Sequence, residues 1–173
     1  FIWGAATSAH QVEGNNVNSD WWEQEVREGT TLSEPSGDAA DSYHRYREDI
    51  DLVAESGLGA YRFSIEWARV EPVEGMFSKA EIAHYRRMIA HCLDRGVQPV
   101  VSLNHLTLPL WLRRLGGWLA PGAPQLFERY VRKVLPILEG IVEYAVTINE
   151  PDVVSAFEAQ GEEKSAMAAL ADP

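Results

Sequence analysis

Cysteine is almost absent from this chain: Cys92 is the only one among 173 residues. A single thiol cannot form an internal disulfide, and no Cys/His spacing of a zinc site occurs, so we expect neither a disulfide nor a metal. Long apolar runs are also missing, since none reaches the roughly 18–20 residues that span a bilayer. Positive charge is scarce: 15 Lys and Arg against 26 Asp and Glu give a net charge of −11. These absences argue against a membrane partner and, because such a surface repels a phosphate backbone, against nucleic acid.

The remaining composition is that of a globular protein. Apolar residues make up 46% of the chain, which is enough for one domain with a sizeable core. Cys92 falls on an apolar position of a helical pattern, where a buried and inert thiol is expected. Phe1 lies in a strand-like run with no initiator Met before it. We therefore expect an incomplete N-terminus, and we expect a cytoplasmic location.

Hydrophobic periodicity divides the chain into alternating strands and helices. Strands are predicted at residues 1–6, 60–65, 97–103 and 144–149, the first of them buried. Three helices are predicted: one with a stripe of Tyr43, Tyr46, Ile50 and Val53 that ends at Gly57, one from a Ser78–Glu81 capping box to Gly96, and one from about Pro124 to Pro136. The polar residues from 14 to 37 indicate a long loop.

This alternation favours an α/β protein with βαβ units and a parallel sheet. Either a doubly wound sheet or a (β/α)8 barrel fits the pattern. No Gly-x-Gly-x-x-Gly follows the first strand, which weakens the dinucleotide-binding form, and we expect no cofactor. Polar residues cluster where the strands end, and in a barrel those ends share the face that carries the chemistry. A whole barrel takes about 250 residues and eight strands, so four strands suggest half of one.

Glu150 is the first candidate for chemistry at such a strand end. It follows the carboxamide of Asn149 and precedes Pro151. Because proline favours an extended conformation in the residue before it, the carboxyl is expected to project from the strand tip. A partly buried glutamate in that position can donate a proton near neutral pH. The alternative is a glutamate that caps the next helix, and spacing alone favours this alternative.

Other polar side chains near strand ends are candidates for binding hydroxyl groups. Asn149 offers both a donor and an acceptor, and Gln11 and His105 carry planar polar groups. For His105, a core histidine bonded to a backbone carbonyl is an equal alternative. Arg62 lies within a strand, where a buried arginine is expected to have an acidic partner. The six tryptophans are expected to fill the core by default, although aromatic faces also stack on sugars.

Five motifs, in order, resemble those of glycoside hydrolase family 1, the β-glucosidases and β-galactosidases. They are FIWGAATSAHQVEG at 1–14, DSYHRYREDI at 41–50, YRFSIEW at 61–67, GGW at 116–118 and TINEP at 147–151. Asn-Glu-Pro by itself is shared by related barrel glycosidases. The ordered set is highly specific, and it reverses the interpretation of Glu150 as a mere helix cap.

The resemblance implies the N-terminal half, about four βα units, of a (β/α)8 TIM barrel over residues 1–157, followed by a divergent or truncated tail at 158–173. It implies a retaining β-glycosidase that acts on small β-glucosides or β-galactosides. Glu150 is then the general acid/base, and Asn149 holds the sugar 2-hydroxyl. Gln11 and His105 bind other sugar hydroxyls, and Arg62 supports the nucleophile.

Some positions depart from the family pattern. Leu106 stands where the family usually has an aromatic residue after His105, Ala145 lies near the place of a usual tryptophan, and Pro136 is unusual. The family's nucleophile lies in a Thr-Glu-Asn-Gly run, and no Glu-Asn-Gly occurs in this sequence. Retaining chemistry needs two carboxyls about 5–5.5 Å apart, so we expect a fragment that is inactive alone.

Two other hypotheses stay open. The first is a catalytically inactive half-barrel that binds sugar or self-associates through its exposed edges. The second is a phosphoglycosidase of the same family. If the chain alone proves active, another carboxylate must replace the nucleophile, and Glu13, Glu23 and Glu66 are the candidates.

Overall fold

A four-stranded parallel sheet forms the centre of the computed structural model, which describes residues 1–159. The strands are β1 (Gly4–Ala6), β2 (Ala60–Ser64), β3 (Gln98–Ser102) and β4 (Tyr144–Val146). They lie in the order β1-β2-β3-β4, and each neighbouring pair is parallel. Sheet order is therefore chain order, as four successive βα units require, and the predicted alternation is confirmed.

Helices connect the strands and cover the sheet. In the described part they are α1 (Ala9–Val12), α2 (Asp20–Val26), α3 (Ser42–Glu55), α4 (Trp67–Val70), α5 (Lys79–Asp94), α6 (Leu110–Arg114) and α7 (Ala123–Val134). Two short 3-10 helices, Gly117–Leu119 and Leu135–Ile137, flank α7, and residues 151–159 are helical. No helix among residues 1–159 combines the length and the apolar character that a bilayer crossing requires.

The core lies between the sheet and the apolar faces of α3, α5 and α7. Their buried residues include Tyr46, Ile50, Tyr85, Ile89, Cys92, Tyr130 and Val134, none of which is more than 7% exposed. The predicted stripe of α3 is confirmed, because Tyr46 and Ile50 are buried on one face of that helix, and the buried residues of α5 and α7 also recur at helical spacing. Cys92 is fully buried, and burial raises the pKa of its thiol to about 12, as fits an unreactive side chain.

Local signals explain where α5 and α7 begin and end. The Ser78 hydroxyl accepts a hydrogen bond from the Glu81 N–H at 3.3 Å and so caps α5. The Glu81 carboxylate does not return the bond of a capping box; it accepts one from the Tyr43 hydroxyl at 3.0 Å. Gly96, with φ of +70°, follows the end of α5. Pro136 ends the third helix as predicted, since it lies in the 3-10 helix after α7.

Pro99 is accommodated near the start of β3. It pairs with Tyr61 of β2, whereas pairing with β4 begins only at Val100. The missing N–H of proline therefore removes no bond from the β4 side of the sheet, which is the position in which a strand tolerates proline.

Three predictions about element boundaries are wrong. Strand β1 covers only Gly4–Ala6 and is not buried, because within the described residues it pairs on one side only. Strand β4 ends at Val146, since the chain leaves the sheet and the Asn149 N–H donates to the Asn104 carbonyl at 3.0 Å. The predicted loop at 14–37 contains α2, which Ser19 caps by accepting from the Trp22 N–H at 3.1 Å. Most of the predicted tail, from residue 160 on, lies outside the described residues.

Candidate active site

The predicted site residues gather at one rim of the sheet, because parallel strands end on the same side. Gln11 lies on α1 directly after β1, and His105 follows β3. Asn149 and Glu150 follow β4, and Arg62 lies within β2. The rim is thus built from four successive strands, which is how parallel α/β proteins assemble a site from distant parts of the sequence.

Arg62 connects three neighbouring parts of this rim: β2, β3 and the turn after β4. Its Nε donates to the Ser102 hydroxyl at 2.8 Å, and its Nη2 donates to Asn149 Oδ1 at 2.5 Å. Both acceptors are neutral, so the expected acidic partner is not found among residues 1–159. Arg62 is only half-buried, and water can solvate part of its charge, which is why neutral oxygens suffice here.

Glu150 begins the next helix, which is the alternative that spacing alone favoured. Its carbonyl accepts the Val154 N–H at 3.0 Å, so its backbone begins the helix at 151–159. Its φ is +46°, in the left-handed region, and the predicted extended conformation is wrong. Pro151 disfavours the right-handed helical region in the residue before it, and the left-handed conformation also avoids that region while the chain reverses into the helix. The side chain is exposed at the rim.

A cleft of about 590 Å³ opens beside Glu150, within the size range of small-ligand sites. Asn149, Leu106, Trp21 and Trp118 also line it. A second cleft, of about 600 Å³, is lined by Gln11, His10, Glu25 and Glu34. Leu106 and Trp21 border both clefts, so Gln11 and Glu150 belong to adjoining spaces.

The tryptophans divide between core and cleft. Trp67 is 1% exposed and packs in the core, as predicted. Trp21 and Trp118 are half-buried and line the cleft beside Glu150, and Trp3 is 71% exposed. The default assignment of every tryptophan to the core is therefore wrong, because the count of tryptophans carries no information on which ones face the rim.

His105 lies in the electrostatic neighbourhood of Arg62 and Glu150. Burial and, after it, the positive charge of Arg62 hold the pKa of His105 below its ordinary value, against the weaker opposite effect of Glu150. The imidazole is therefore neutral at neutral pH. Its Nδ1 is buried and has no hydrogen-bond partner among residues 1–159, so the alternative of a carbonyl-bonded histidine is not seen at this atom.

Gln11 is exposed and held by a local contact, since its Oε1 accepts from the Ser8 hydroxyl at 2.6 Å. Beside it lies a network that the sequence did not predict. His10 Nε2 lies 2.8 Å from Glu25 Oε1, and Glu25 Oε2 accepts from the Ser36 N–H at 2.9 Å and from its hydroxyl at 2.6 Å. These residues are 15 and 11 positions apart in irregular and helical segments, and no periodic signal links them.

The three carboxylates considered as replacement nucleophiles have different surroundings. Glu13 is buried, 2.7 Å from Arg69 Nε, and burial raises its pKa to about 7. Glu66 is buried, accepts from the Thr107 hydroxyl at 2.8 Å, and has its pKa raised by burial. Glu23 is exposed and lines the cleft beside Glu150, where Arg114 Nη2 lies 3.1 Å from its carboxylate. Of the three, Glu23 alone borders the cleft.

A metal centre is not indicated in the part of the chain that the structure describes. Residues 1–159 contain no group of three or more His, Cys, Asp or Glu side chains placed to hold a metal ion. The cleft is instead lined by the Glu150 side chain, the Asn149 amide and the aromatic side chains of Trp21 and Trp118.

Comparison with known proteins gives consistent matches. The model of the family described as "Glycosyl hydrolase family 1" matches residues 1–162. The chain is 38% identical to putative beta-glucosidase 17 of Oryza sativa subsp. japonica over 91% of its own length and 55% of that protein. It is 40% identical to the coniferin beta-glucosidase of Pinus contorta over 88% of its own length and 31% of that protein.

Solved structures agree with the sequence matches. The crystal structure of beta-glycosidase BGL167 matches with a TM-score of 0.87 and 52% identity, over 93% of this chain and 39% of that one. The chain thus spans less than two thirds of the length of each of these relatives. The likeness confirms the predicted fold: the four βα units are those of a glycosidase (β/α)8 barrel and not of a doubly wound sheet.

Proposed function

Because the chain belongs to glycosyl hydrolase family 1, we propose that it supplies the acid/base side of a retaining β-glycosidase site for small β-glucosides or β-galactosides. The observation that carries the proposal is the rim, where Arg62 binds Asn149 at 2.5 Å directly beside Glu150. Glu150 and Asn149 border one cleft, and His105 lies within the field of both Arg62 and Glu150. The relatives named beta-glucosidases support the reaction class.

Glu150 acts twice in this proposal. As an acid it protonates the oxygen of the leaving group, and as a base it then takes a proton from the attacking water. The carboxyl is exposed on a short turn between β4 and the following helix, so both of its oxygen atoms can reach a substrate in the cleft.

The amide orientation of Asn149 follows from its partner. A guanidinium can only donate hydrogen bonds, so the oxygen of Asn149 must be the atom that faces Arg62 Nη2. The NH₂ group therefore points away from Arg62 and is available to donate to a sugar hydroxyl oxygen. We assign this hydroxyl as the 2-hydroxyl, whose hydrogen bonds strengthen in the transition state of glycoside hydrolysis.

The second carboxylate comes, in this proposal, from residues beyond this sequence. Retaining hydrolysis needs two carboxyls about 5–5.5 Å apart. Glu13 and Glu66 are buried and engaged by Arg69 and Thr107, which leaves neither free to attack a sugar. The sequence contains no Glu-Asn-Gly run, and it spans only 31% and 55% of the two plant relatives. The 173-residue chain alone is accordingly expected to lack hydrolase activity.

The test joins this chain to the remaining βα units of a family 1 β-glucosidase and measures hydrolysis of two glucosides. Glu150→Gln is expected to lower kcat on an alkyl β-glucoside by about 10²–10⁴-fold, because an alkoxide leaving group needs a proton. A dinitrophenyl β-glucoside leaves without protonation, so its first step should be little affected. Added azide should restore turnover of the second step, since this anion attacks without a base.

Glu128→Gln is the matched control, because it removes the same charge from an exposed position of α7 that does not line the cleft, and it is expected to leave both rates within about twofold. Equal losses of kcat/KM, which reports the first step, on the two glucosides, or no loss on either, would contradict the role of Glu150. Robust hydrolysis by the 173-residue chain alone would contradict the missing nucleophile and would point to Glu23.

A further inference from the structure

Arg113 of α6 lies between two carboxylates in the wall of the cleft beside Glu150. Its Nε lies 3.1 Å from Asp20 Oδ2, and its Nη1 lies 3.0 Å from Glu158 Oε2. Asp20 is 2% exposed and Glu158 is 9% exposed, whereas the Arg113 side chain is 37% exposed. Because one guanidinium serves both carboxylates, we call these three residues the Arg113 clamp.

Each end of the clamp belongs to a different element. Asp20 begins α2, and its Oδ1 accepts the Leu108 N–H at 2.9 Å, which ties α2 to the segment after β3. Glu158 lies in the helical stretch 151–159 that follows β4. Arg113 therefore connects α2, α6 and the helix that begins at Glu150.

Gly117 provides the space that the clamp occupies. Its φ is +63°, and a Cβ atom at this position would lie 2.8 Å from Arg113 Nη1 and 3.2 Å from Glu158 Oε1. A side chain here would therefore push on the very contact between Arg113 and Glu158. The backbone of the 3-10 helix Gly117–Leu119 thus fits around the ion pair.

The start of the helix at 151–159 is held through Asn149, whose N–H donates to the Asn104 carbonyl and whose Oδ1 accepts from Arg62. Strand β4 is three residues long and, among the described residues, pairs with β3 only. Glu150 has a φ of +46°, a conformation that residues other than glycine keep only when their surroundings enforce it. A second anchor at Glu158, two turns further along the helix, supplies such enforcement.

We propose that Arg113 is a positioning residue of the glycosidase site: by holding Asp20 and Glu158 together, it fixes the helix at 151–159 and thereby the direction of the Glu150 carboxylate. This inference rests on the role proposed above for Glu150. Arg113 does not transfer a proton itself, and it acts through the backbone that connects Glu158 to Glu150.

The first experiment uses the 173-residue chain and needs no activity. Amide hydrogen exchange is measured in Arg113→Met at Val154, whose N–H donates to the Glu150 carbonyl. We expect exchange at Val154 to be at least about tenfold faster, while β2 keeps its protection. Arg114→Met is the matched control, since Arg114 lies next in α6, is 67% exposed and, among residues 1–159, pairs only with Glu23 across the cleft. It should leave Val154 unchanged.

Two exchange results would overturn the proposal. Unchanged protection of Val154 in Arg113→Met would mean that the clamp does not hold the helix. Equal acceleration at Val154 and throughout β2 would mean that Arg113 serves the stability of the whole fold. Glu158→Gln provides a second variant, because it keeps the shape of the side chain, removes its charge and should give the same local effect.

The second experiment uses the assembled enzyme described above. Arg113→Met is expected to lower kcat on the alkyl glucoside by about tenfold with KM within about twofold, and to leave the first step with the dinitrophenyl glucoside little affected. Activity on the alkyl glucoside should recover in part in Arg113→Lys. A rise in KM alone, equal for both substrates, would make Arg113 a direct substrate contact and would overturn the positioning role. If Glu150→Gln shows no dependence on the leaving group, the proposed function fails, and exchange at Val154 still decides whether the clamp holds the helix.

Discussion

The acidic side chains of this chain show how strongly one residue type depends on its surroundings. Glu150 is exposed at the rim, whereas Glu13 is 4% exposed and lies against Arg69 and Tyr85. Burial is the strongest influence on Glu13 and raises its pKa from an ordinary 4.5 to about 7, although the charge of Arg69 opposes this rise. Arg69 also binds the Gly14 carbonyl.

The stability of the chain is expected to fall between pH 4.5 and 7.5 because of Glu13. The folded state holds the proton more tightly than the unfolded state, so the contribution is fully present below pH 4.5 and is lost as the pH rises through about 7. The loss from this group is about 3 kcal/mol. In Glu13→Gln this dependence should be missing, although the variant itself is less stable because Arg69 loses its partner.

Urea unfolding of both proteins at several pH values measures this difference. Asp20, another group that titrates, is present in both proteins, so its contribution largely cancels in the comparison. Glu23→Gln, an exposed substitution of the same type, should behave as the wild type. Parallel curves of unfolding free energy for wild type and Glu13→Gln would refute the assignment.

At the scale of elements, α1 is held in place by the chain segment that returns after α2. The Asn15 N–H donates to the Gly37 carbonyl at 2.7 Å, and the Ala40 N–H donates to the Val12 carbonyl at 3.2 Å. Gly14 makes this close approach possible: its φ is +79°, and a Cβ atom here would lie 2.1 Å from the Asp38 carbonyl oxygen. The position of α1, and of Gln11 on it, therefore depends on a glycine.

Two alanine substitutions separate the effect of this contact from that of backbone conformation. Gly14→Ala is expected to lower the free energy of unfolding by about 3 kcal/mol or more, because strain and a clash combine. Gly29 has a similar φ of +77° with nothing within 4 Å of the added Cβ, so Gly29→Ala should cost about 1 kcal/mol. Denaturant titrations of both variants give the two values. Similar losses in both would show that Asp38 moves away at little cost.

Sequence patterns were sufficient for elements whose signals are local. The strands β2 and β3 and the helices α3, α5 and α7 carry their own periodicity, caps and terminal residues, and each was predicted close to its observed bounds. The helix α2 was missed although Ser19 precedes two acidic residues in its first turn, because its tryptophans and polar residues show no stripe.

The motifs name residues that the structure brings to one rim, but they do not give the contacts of these residues. Ordered motifs pointed to Glu150, Asn149 and Arg62, yet the neutral partners of Arg62 are 40 and 87 residues away in sequence. The Arg113 clamp likewise joins residues 93 and 45 positions apart. Such pairs depend on how strands bring distant segments together, and no periodic pattern within one segment encodes them.

At the scale of the whole molecule, both outer strands of the described sheet have an unpaired edge. Within residues 1–159, β1 pairs only with β2 and β4 only with β3. Large apolar side chains near these edges are exposed, including Trp3 at 71%, Ile141 at 46% and Tyr144 at 44%. Exposed edges and apolar surface favour association with other chains.

The isolated chain is therefore expected to form oligomers whose size grows with protein concentration. A charge on the edge strand should oppose this, so Ala145→Lys in β4 is expected to shift the population toward monomer. Leu52→Lys is the control, because Leu52 is 60% exposed on α3, away from the strand edges. Size-exclusion chromatography with light scattering measures the mass. A wild-type monomer at all concentrations would argue against association through the edges.

The identity of sheet order and chain order also bears on how the protein is made. During synthesis, β1 has left the ribosome before β2 does. In the same way, β3 and β4 each follow the strand with which they pair. Each of β2, β3 and β4 can pair with the strand synthesised just before it, so the sheet can form unit by unit during translation. Gln11 is therefore synthesised before β2, β3 and β4, whereas Glu150 is synthesised after all four strands.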